Sequence, residues 1–257
     1  MIYLLSDEGR RALKAITGQA LLYAFDFDGT LAPISADRDA VRMSPIVTEW
    51  LQELAKRAPC AVVSGRALRD VAPRINGAVP HLIGNHGIES PLAPAAELAR
   101  AELICAKWNR ELTTRMETLK ELGAEIENKQ YTLTVHFRHA KAPAEASEQI
   151  LFLLSRLVPA PHLLHGKFSI NALPPWQVGK GPAALALMAH LRLNGLFYIG
   201  DEETDETVFA LAQGLTMGVR VGRPTDSRAG FFLHHQEEIE EVLHFLVHHL
   251  DRMPLTR

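Results

Sequence analysis

Two aspartates stand two residues apart, directly after an apolar segment near the start of the chain. Residues 20–25 read ALLYAF, and residues 26–30 read DFDGT, which contains Asp26 and Asp28. The apolar segment predicts a buried strand of a parallel sheet, whose period of two turns both carboxylates to one side. Two such carboxylates repel each other unless a cation or a proton lies between them. The sequence has no Lys or Arg within five residues of the pair, so a bound metal ion and an incoming phosphate group would fit this site.

Polar residues also follow the other apolar segments. Ser64 follows residues 60–63 (CAVV), and Asp201 comes shortly after residues 196–199 (LFYI), while Lys180 stands at the start of a predicted helix. In a sheet of parallel strands joined by helices, the carboxyl ends of the strands lie at one edge, where ligands bind. Each residue also has a plainer interpretation, as a turn residue, a helix cap or an exposed lysine. Their joint order along the chain favours one shared site.

The residue types at these positions complement one another for phosphoryl transfer. Asp26 is a candidate nucleophile because carboxylates form acyl-phosphate intermediates, and Asp28 could act as the general acid and base. Ser64 offers a hydroxyl group, and Lys180 offers a positive charge, to the phosphate oxygens. Asp201 adds an oxygen ligand of the kind that Mg²⁺ prefers, and the ion would spread the developing charge.

The pattern of predicted elements changes twice along the chain. Strands alternate with helices over residues 1–90 and again over residues 175–257, which is typical of an α/β fold with a parallel sheet. Between them, residues 91–174 predict one long helix over 95–122, an antiparallel strand pair, a further helix over about 143–158 and a strand over 168–170. We therefore expect an α/β core of residues 1–90 and 175–257, interrupted by an inserted α+β domain of residues 91–174.

Composition and charge are those of an ordinary globular protein. The 257 residues are 47% hydrophobic and 22% charged, with a formal net charge of −3 and a pI near 6.5. This charge gives no basic field for nucleic acid or anionic lipid, and no apolar stretch approaches the ~20 residues that span a bilayer. Cys60 and Cys105 lie in apolar surroundings without motif spacing, which favours a reducing compartment. We expect a monomeric, cytoplasmic protein that binds neither nucleic acid nor membranes.

Four parts of the sequence resemble the motifs of the haloacid dehalogenase (HAD) superfamily. They are residues 26–30 (DFDGT), Ser64, Lys180 and residues 200–205 (GDEETD). A finer resemblance, to trehalose-6-phosphate phosphatases, covers nearly the whole chain from about residue 20. It rests in the core on residues 64–66 (SGR), 84–87 (GNHG), Glu89, 180–181 (KG) and 201–206 (DEETDE), and in the insertion on residues 127–129 (ENK), 136–138 (HFR) and 166–167 (GK).

The resemblance implies a Rossmann-like HAD core with a cap domain that determines specificity. It also implies a step of trehalose biosynthesis, the Mg²⁺-dependent hydrolysis of trehalose 6-phosphate to trehalose and phosphate through an aspartyl-phosphate intermediate. The implied nucleophile is Asp26 and the implied acid and base is Asp28. The implied phosphate-binding residues are Thr30, Ser64 and Lys180, and the implied metal ligands are Asp26, the backbone carbonyl of Asp28, and Asp201. The implied sugar-binding residues are Arg66, Asn85 and His86 in the core and Glu127, Lys129, His136 and Asn171 in the cap.

One departure from the family pattern concerns the sugar. The family usually has an acidic residue at the end of a GKxxxE stretch, where this chain has Asn171, and a basic residue where it has Leu173. Asn171 donates and accepts hydrogen bonds but carries no charge. The other cap residues also have a plain interpretation, since Glu127 and Lys129 flank a predicted turn and His136 lies on a half-exposed strand.

Several functions therefore stay open beside the leading one. Asn171 favours a HAD phosphatase for another glycosyl phosphate, such as a glucosylglycerol phosphate or a glycosylated glycerate phosphate. A sugar-phosphate-binding regulator without catalysis is an alternative from a different class, and a phosphomutase or phosphotransferase is a third. A panel of sugar phosphates tested with Mg²⁺ separates these functions.

Overall fold

The chain folds into two compact units. The computed structural model describes residues 1–35, 37–166, 168–176, 179–211, 214–222 and 226–250. The core unit comprises residues 1–91 and 180–257, and the inserted unit comprises residues 92–179.

Strands and helices alternate along most of the described chain. The strands are β1 (Ile2–Tyr3), β2 (Leu21–Phe25), β3 (Cys60–Val63), β4 (His81–Ile83), β5 (Glu125–Asn128), β6 (Leu133–His136), β7 (His162–Gly166), β8 (Ser169–Leu173), β9 (Gly195–Gly200), β10 (Thr216–Val221) and β11 (Phe231–Leu233). The α-helices are α1 (Asp7–Ile16), α2 (Pro45–Ala55), α3 (Leu68–Ile75), α4 (Ala95–Thr113), α5 (Met116–Glu121), α6 (Pro143–Ser155), α7 (Lys180–His190), α8 (Glu206–Phe209) and α9 (Ile239–His249). Among these described residues, no helix combines the length and apolar character needed to cross a bilayer.

The core unit is built on a parallel sheet. Within the described residues the sheet has seven strands in the order β1-β11-β10-β9-β2-β3-β4, and every pairing is parallel. Strand β2 lies between β9 and β3, with Phe25 opposite Ile199 on one side and Val62 on the other. Because β2 and β9 are parallel neighbours, the residues that follow them, Asp26 and Asp201, emerge at the same edge of the sheet.

Alternate residues of β2 face opposite sides of the sheet, and helices cover both sides. Tyr23 and Phe25 pack in the apolar cluster that includes residues of α2 and α9. Leu22 and Ala24 pack in a second cluster, with residues of α7 and α8. All five residues of β2 are buried, which explains why its sequence is apolar throughout instead of alternating. This packing on both faces fixes where the strand ends and its polar residues begin.

The inserted unit is an antiparallel sheet with helices packed against it. Its described strands have the order β5-β6-β8-β7, and all their pairings are antiparallel. Trp108 of α4 is fully buried in the apolar cluster that also contains Leu133 of β6 and Ile170 of β8. The indole Nε1 of Trp108 donates a hydrogen bond to the backbone carbonyl of Pro159 at 2.9 Å. The unit therefore has a hydrophobic core of its own.

The fold class expected from the sequence is confirmed, with an α/β core and an α+β insertion. The single helix expected over residues 95–122 is wrong, because α4 and α5 are separated by Thr114 and Arg115. The hydroxyl group of Thr114 donates to the backbone carbonyl of Glu111 at 2.7 Å. Such local side-chain bonds compete with the hydrogen bonds that continue a helix. The short strands β1, β7 and β11 were not predicted.

Phe197 of β9 provides a test of the core packing. Its ring is fully buried and lies 5.6 Å from the ring centroid of Tyr23. Replacing Phe197 by Ala leaves a cavity, so we expect the free energy of unfolding to fall by about 3–5 kcal/mol. The matched control is Phe152→Ala, because this ring is 58% exposed and should cost less than about 1 kcal/mol. Urea unfolding followed by circular dichroism measures both variants, and equal losses would contradict the packing.

Candidate active site

Three buried or nearly buried carboxylates meet at the edge of the core sheet. Asp26 directly follows β2 and Asp201 directly follows β9, while Asp205 closes the 3₁₀ turn Glu203–Asp205. The backbone N–H of Asp26 still donates to the carbonyl of Ile199 at 2.9 Å, which extends the pairing of the two strands into the site. One ligand oxygen from each of the three carboxylates lies within 4.8 Å of the others. This spacing suits a shared cation.

Lys180 and Tyr198 organise this acidic cluster. The Nζ atom of Lys180 lies 2.8 Å from Oδ1 of Asp26 and donates to Oδ1 of Asp205 at 2.9 Å. The hydroxyl group of Tyr198 donates to the same Asp205 oxygen at 2.6 Å, and the backbone N–H of Glu202 donates to Oδ2 of Asp205 at 2.9 Å. Both oxygens of Asp205 are therefore engaged, so this residue mainly holds Lys180 in place and leaves Asp26 and Asp201 as the better ligands for a cation.

Burial and mutual repulsion control the protonation of this cluster. Burial raises the pKa of Asp26 well above its ordinary range; Lys180 opposes this rise, and the charges of Asp205 and Asp201 add to it. Burial, followed by the charge of Asp205, raises the pKa of Asp201 to about 8. Burial works against a charged Lys180, but the charges of Asp205 and Asp26 outweigh it and raise the pKa of this lysine. Without another cation, the three carboxylates cannot all be ionised at low cost.

Two further observations fit a bound cation and an anion at this edge. The Oδ1 atom of Asp201 and the hydroxyl oxygen of Thr30 are both buried and, within the described part of the chain, have no hydrogen-bond partner. Gly29 adopts a φ of +74°, and a Cβ atom at this position would collide with the carboxylate of Asp201. A buried polar atom without a partner is costly, so a ligand that satisfies Asp201 and Thr30 is expected there.

The ends of β3 and β4 supply a second group of site residues. Ser64 follows the strand, and its Oγ accepts a hydrogen bond from the backbone N–H of Arg66 at 3.1 Å. Asn85 and His86 follow β4 and both have positive φ, 48° and 56°. The side chain of Asn85 donates to Oε2 of Glu89 at 2.6 Å, and this contact steadies the turn. Ser64, Arg66, Asn85 and His86 are all buried.

Asp28 is held by Arg66. The Nε and Nη2 atoms of Arg66 donate to the two carboxylate oxygens of Asp28, each at 2.7 Å. The side chain of Asp28 remains 34% exposed, while that of Arg66 is 4% exposed. The carboxylate of Asp28 is not part of the close group formed by Asp26, Asp201 and Asp205. The side chain of Asp28 is therefore not placed to bind a cation together with these three carboxylates.

Three of the residues expected to bind sugar lie together in the inserted unit. The Nε2 atom of His136 lies 2.8 Å from Oε2 of Glu127, and the Nζ atom of Lys129 lies 3.8 Å from the same oxygen. Asn171 is buried in the sheet, where its Oδ1 accepts from the hydroxyl group of Thr134 at 2.7 Å. Lys167, which belongs to the motif at residues 166–167, lies outside the described residues.

Two residues that shape the site, Tyr198 and Asp70, have no predicted role. The apolar residues 196–199 predict only a buried strand, and the one signal for Tyr198 is that a tyrosine hydroxyl in such a strand needs a polar partner. Asp70, which contacts Nη1 of Arg66 at 2.7 Å, lies on α3, and no motif marks it.

Several solved structures have a fold similar to that of this chain. The C-terminal domain of trehalose-6-phosphate phosphatase from C. albicans is similar with a TM-score of 0.74 at 21% identity, over 96% of this chain and 98% of that domain. A haloacid dehalogenase-like hydrolase from Bacteroides thetaiotaomicron has a TM-score of 0.60 at 14% identity, over 88% of this chain and 99% of its own. The chain therefore shares the fold of these phosphatase and haloacid dehalogenase-like structures.

Sequence comparison then identifies the family. The family model described as trehalose-phosphatase matches residues 24–231, so the chain belongs to this family. Trehalose 6-phosphate phosphatase RA3 from Zea mays is 29% identical over 259 residues, which cover 90% of this chain and 71% of that protein. Probable trehalose-phosphate phosphatase 4 from Oryza sativa is 31% identical over 245 residues, 90% of this chain and 66% of that protein. The match to the trehalose-phosphate phosphatase of Mycobacterium avium is 30% identical over 200 residues, 74% of this chain and 51% of that protein.

Tyr198 provides a test of the network around Asp205. Replacing Tyr198 by Phe removes one of the two donors to Oδ1 of Asp205. Because this acceptor is buried and charged, we expect the free energy of unfolding to fall by about 1.5–3 kcal/mol.

Tyr23→Phe is the matched control for this prediction. The hydroxyl group of Tyr23 is also buried but, within the described residues, has no hydrogen-bond partner. Its removal should leave stability unchanged or slightly higher, as measured by denaturant unfolding. A loss as large as that of Tyr198→Phe would show that the Asp205 contact has no special role.

Proposed function

We propose that this protein hydrolyses trehalose 6-phosphate to trehalose and phosphate with Asp26 as the nucleophile. The chain belongs to the trehalose-phosphatase family, and one structural observation carries the proposal. Asp26 is buried at the carboxyl end of β2, with Nζ of Lys180 2.8 Å away and Asp201 beside it. This is the arrangement that a phosphoryl group requires, with a nucleophile, a fixed positive charge and an oxygen ligand for a metal at one place.

The acidic cluster is suited to Mg²⁺. The three grouped side chains are carboxylates, whose hard oxygen atoms are the ligands that Mg²⁺ prefers, and the ammonium group of Lys180 offsets only part of their charge. We propose that Asp26, Asp201 and the backbone carbonyl of Asp28 hold the ion. When bound, Mg²⁺ would offset the repulsion between Asp26 and the phosphate dianion and would stabilise the charge that develops during phosphoryl transfer.

The residues of the core unit divide the reaction into two steps. A carboxylate oxygen of Asp26 attacks phosphorus, the bond from phosphorus to the sugar oxygen breaks, and Asp28 gives its proton to that leaving oxygen. Asp28 then takes a proton from the attacking water, and the bond between phosphorus and Asp26 breaks to release phosphate. Thr30, Ser64 and Lys180 would hold the nonbridging phosphate oxygens. The hydroxyl group of Thr30, which has no hydrogen-bond partner among the described residues, fits this role.

The inserted unit carries polar groups that suit sugar hydroxyl groups. Glu127, Lys129 and His136 form a compact set of charged donors and acceptors around one carboxylate oxygen. We propose that this unit acts as the cap that determines specificity, with these three residues as sugar ligands. Asn85 and His86 of the core unit are proposed to contribute as well. We also propose, from the sequence, that the protein acts as a monomer in the cytoplasm.

Asn171 supports a second candidate function. Its amide oxygen accepts from the hydroxyl group of Thr134 at 2.7 Å, and its amide nitrogen donates to the backbone carbonyl of Leu164 at 3.4 Å, so part of its hydrogen-bonding capacity is used within the sheet. A cap that uses this position for its own structure has fewer groups for a disaccharide. Another glycosyl phosphate, such as a glucosylglycerol phosphate, is therefore the alternative substrate.

A substrate panel tests the proposed function. We expect Mg²⁺-dependent phosphate release from trehalose 6-phosphate with a kcat/KM at least about tenfold above those of glucosylglycerol phosphate and simple hexose phosphates. Asp26→Asn should abolish release from every substrate. Similar turnover of several unrelated sugar phosphates would overturn the assigned specificity. Tight binding of sugar phosphates without any hydrolysis would instead identify a regulator, and transfer of phosphate to a second sugar would identify a phosphotransferase.

Thermal unfolding tests the metal site without relying on activity. The pKa of Asp201 in the folded protein is raised to about 8, above its value in the unfolded chain. The folded state therefore binds a proton that the unfolded state lacks between about pH 4 and about pH 8, and metal-free stability should fall as the pH rises through this range.

Asp201→Asn removes the carboxyl group that causes this pH dependence and that is proposed to bind Mg²⁺. In metal-free buffer at pH 8 this variant should unfold at a higher temperature than the wild type, and the difference should shrink at pH 5. Adding Mg²⁺ should raise the Tm of the wild type and leave that of Asp201→Asn unchanged. A wild-type Tm that does not respond to Mg²⁺ at pH 8 is the result that speaks against this site.

A further inference from the structure

The guanidinium group of Arg66 is almost fully occupied by partners in the core unit. Two of its N–H groups donate to the two oxygens of Asp28, each at 2.7 Å. Its Nη1 atom donates to Oδ2 of Asp70 at 2.7 Å, and Nη2 also donates to the backbone carbonyl of Arg38 at 3.1 Å. Because an arginine side chain has five N–H donors and four of these donate to fixed partners, only one is left for a sugar.

The main chain of Arg66 is held as firmly as its side chain. Its N–H donates to Oγ of Ser64 at 3.1 Å, and its carbonyl accepts from the N–H of Asn85 at 2.7 Å. Asp70 in turn forms an ion pair with Arg74 at 2.9 Å, which connects the guanidinium to helix α3. Arg66 is therefore a rigid part of the site, whereas its partner Asp28 is one-third exposed and lies on the turn after β2.

A bidentate pair fixes more than the distance between two charges. Two parallel N–H···O bonds define both the position and the plane of a carboxylate, which a lysine cannot do from a single ammonium. The acid and base of the proposed reaction must point to the leaving oxygen and then to water, so the direction of its carboxyl group controls the rate.

We propose that Arg66 is a positioning residue that acts through Asp28, and this inference rests on the proposed function. Arg66 holds the Asp28 carboxylate at the rim of the site between proton transfers, and Asp70 holds Arg66. In the first step Asp28 gives a proton to the departing sugar oxygen, and in the second it recovers a proton from water, so Arg66 itself neither gains nor loses a proton. Its contribution is to the direction of Asp28 and not to the binding of the sugar.

The chromogenic ester p-nitrophenyl phosphate separates the two steps. Its leaving group departs without help from an acid, so the first turnover reports on Asp26, Lys180 and the metal. Later turnovers need Asp28 to take the proton of water. For Arg66→Met we expect a normal burst of p-nitrophenolate followed by a steady-state kcat lowered by about 10²-fold, with KM changed less than about threefold. Arg66→Lys should recover part of the loss.

A double-mutant cycle shows whether Arg66 acts through Asp28. In the Asp28→Asn background, Arg66→Met should change the steady-state rate by less than about twofold, because the group that it positions is already disabled. If the rate losses of Asp28→Asn and Arg66→Met multiply in the double variant, the two residues act independently and the proposal is overturned. So would loss of the burst in both Arg66→Met and Arg66→Lys, since this would place Arg66 in general site structure. A KM effect limited to sugar phosphates, with normal kcat, would make Arg66 a sugar ligand.

Two controls keep these outcomes interpretable. Arg57→Ala removes an arginine that forms an ion pair at 2.9 Å with Glu53 of α2. This variant should leave both the burst and the steady-state rate unchanged. Binding of inorganic phosphate, followed by calorimetry in the presence of Mg²⁺, should be retained in Arg66→Met. If the wild type itself shows no Asp26-dependent turnover of any phosphate ester, the proposed function fails. If the wild type is active and the cycle is additive, only the inference on Arg66 fails.

Discussion

The ends of β2 and β9 bring together more buried negative charge than the adjacent lysine neutralises. Asp26, Asp201 and Asp205 converge on Lys180, whose Nζ lies 2.8 Å from Asp26 and 2.9 Å from Asp205. Such a concentration of charge is costly in a protein interior, and it persists because the surrounding sheet holds the strand ends rigidly. The same imbalance makes the site a place where a divalent cation and a phosphoryl group gain by binding.

The backbone around the cluster is shaped for this close approach. Gly200 has no side chain where a Cβ atom would meet the carboxylate of Asp205, and Gly29, with its positive φ, leaves room for Asp201. Asp205 uses both of its oxygens to hold Lys180, Tyr198 and the chain at Glu202. One carboxylate thus serves as structural support, so that the other two can face a ligand. Arg66 serves Asp28 in a comparable way from the other side of β2.

Local sequence was sufficient to predict five of the seven described strands of the core sheet, β2, β3, β4, β9 and β10. Strand β2 is an apolar segment that is followed by two aspartates, so local sequence indicated Asp26 as the nucleophile candidate, and the order of polar strand ends indicated one shared edge. The pairing of Asp28 with Arg66 could not be predicted, because it joins residues 38 positions apart through side-chain geometry. At the break after α4 the hydroxyl group of Thr114 bonds back to its own helix, a contact that the spacing of apolar residues does not reveal. Strands as short as β1 and β11 gain their stability from their neighbours in the sheet and carry no strong pattern.

The most direct test of the account is a crystal structure of the protein with Mg²⁺ and beryllium trifluoride, which mimics a phosphoryl group on a carboxylate. We expect beryllium bonded to a carboxylate oxygen of Asp26, Mg²⁺ ligated by Asp26 and Asp201, and Lys180 in contact with a fluorine. Beryllium fluoride bound away from Asp26, or Mg²⁺ bound without Asp201, would contradict the claim that this buried charge gathers the reacting groups.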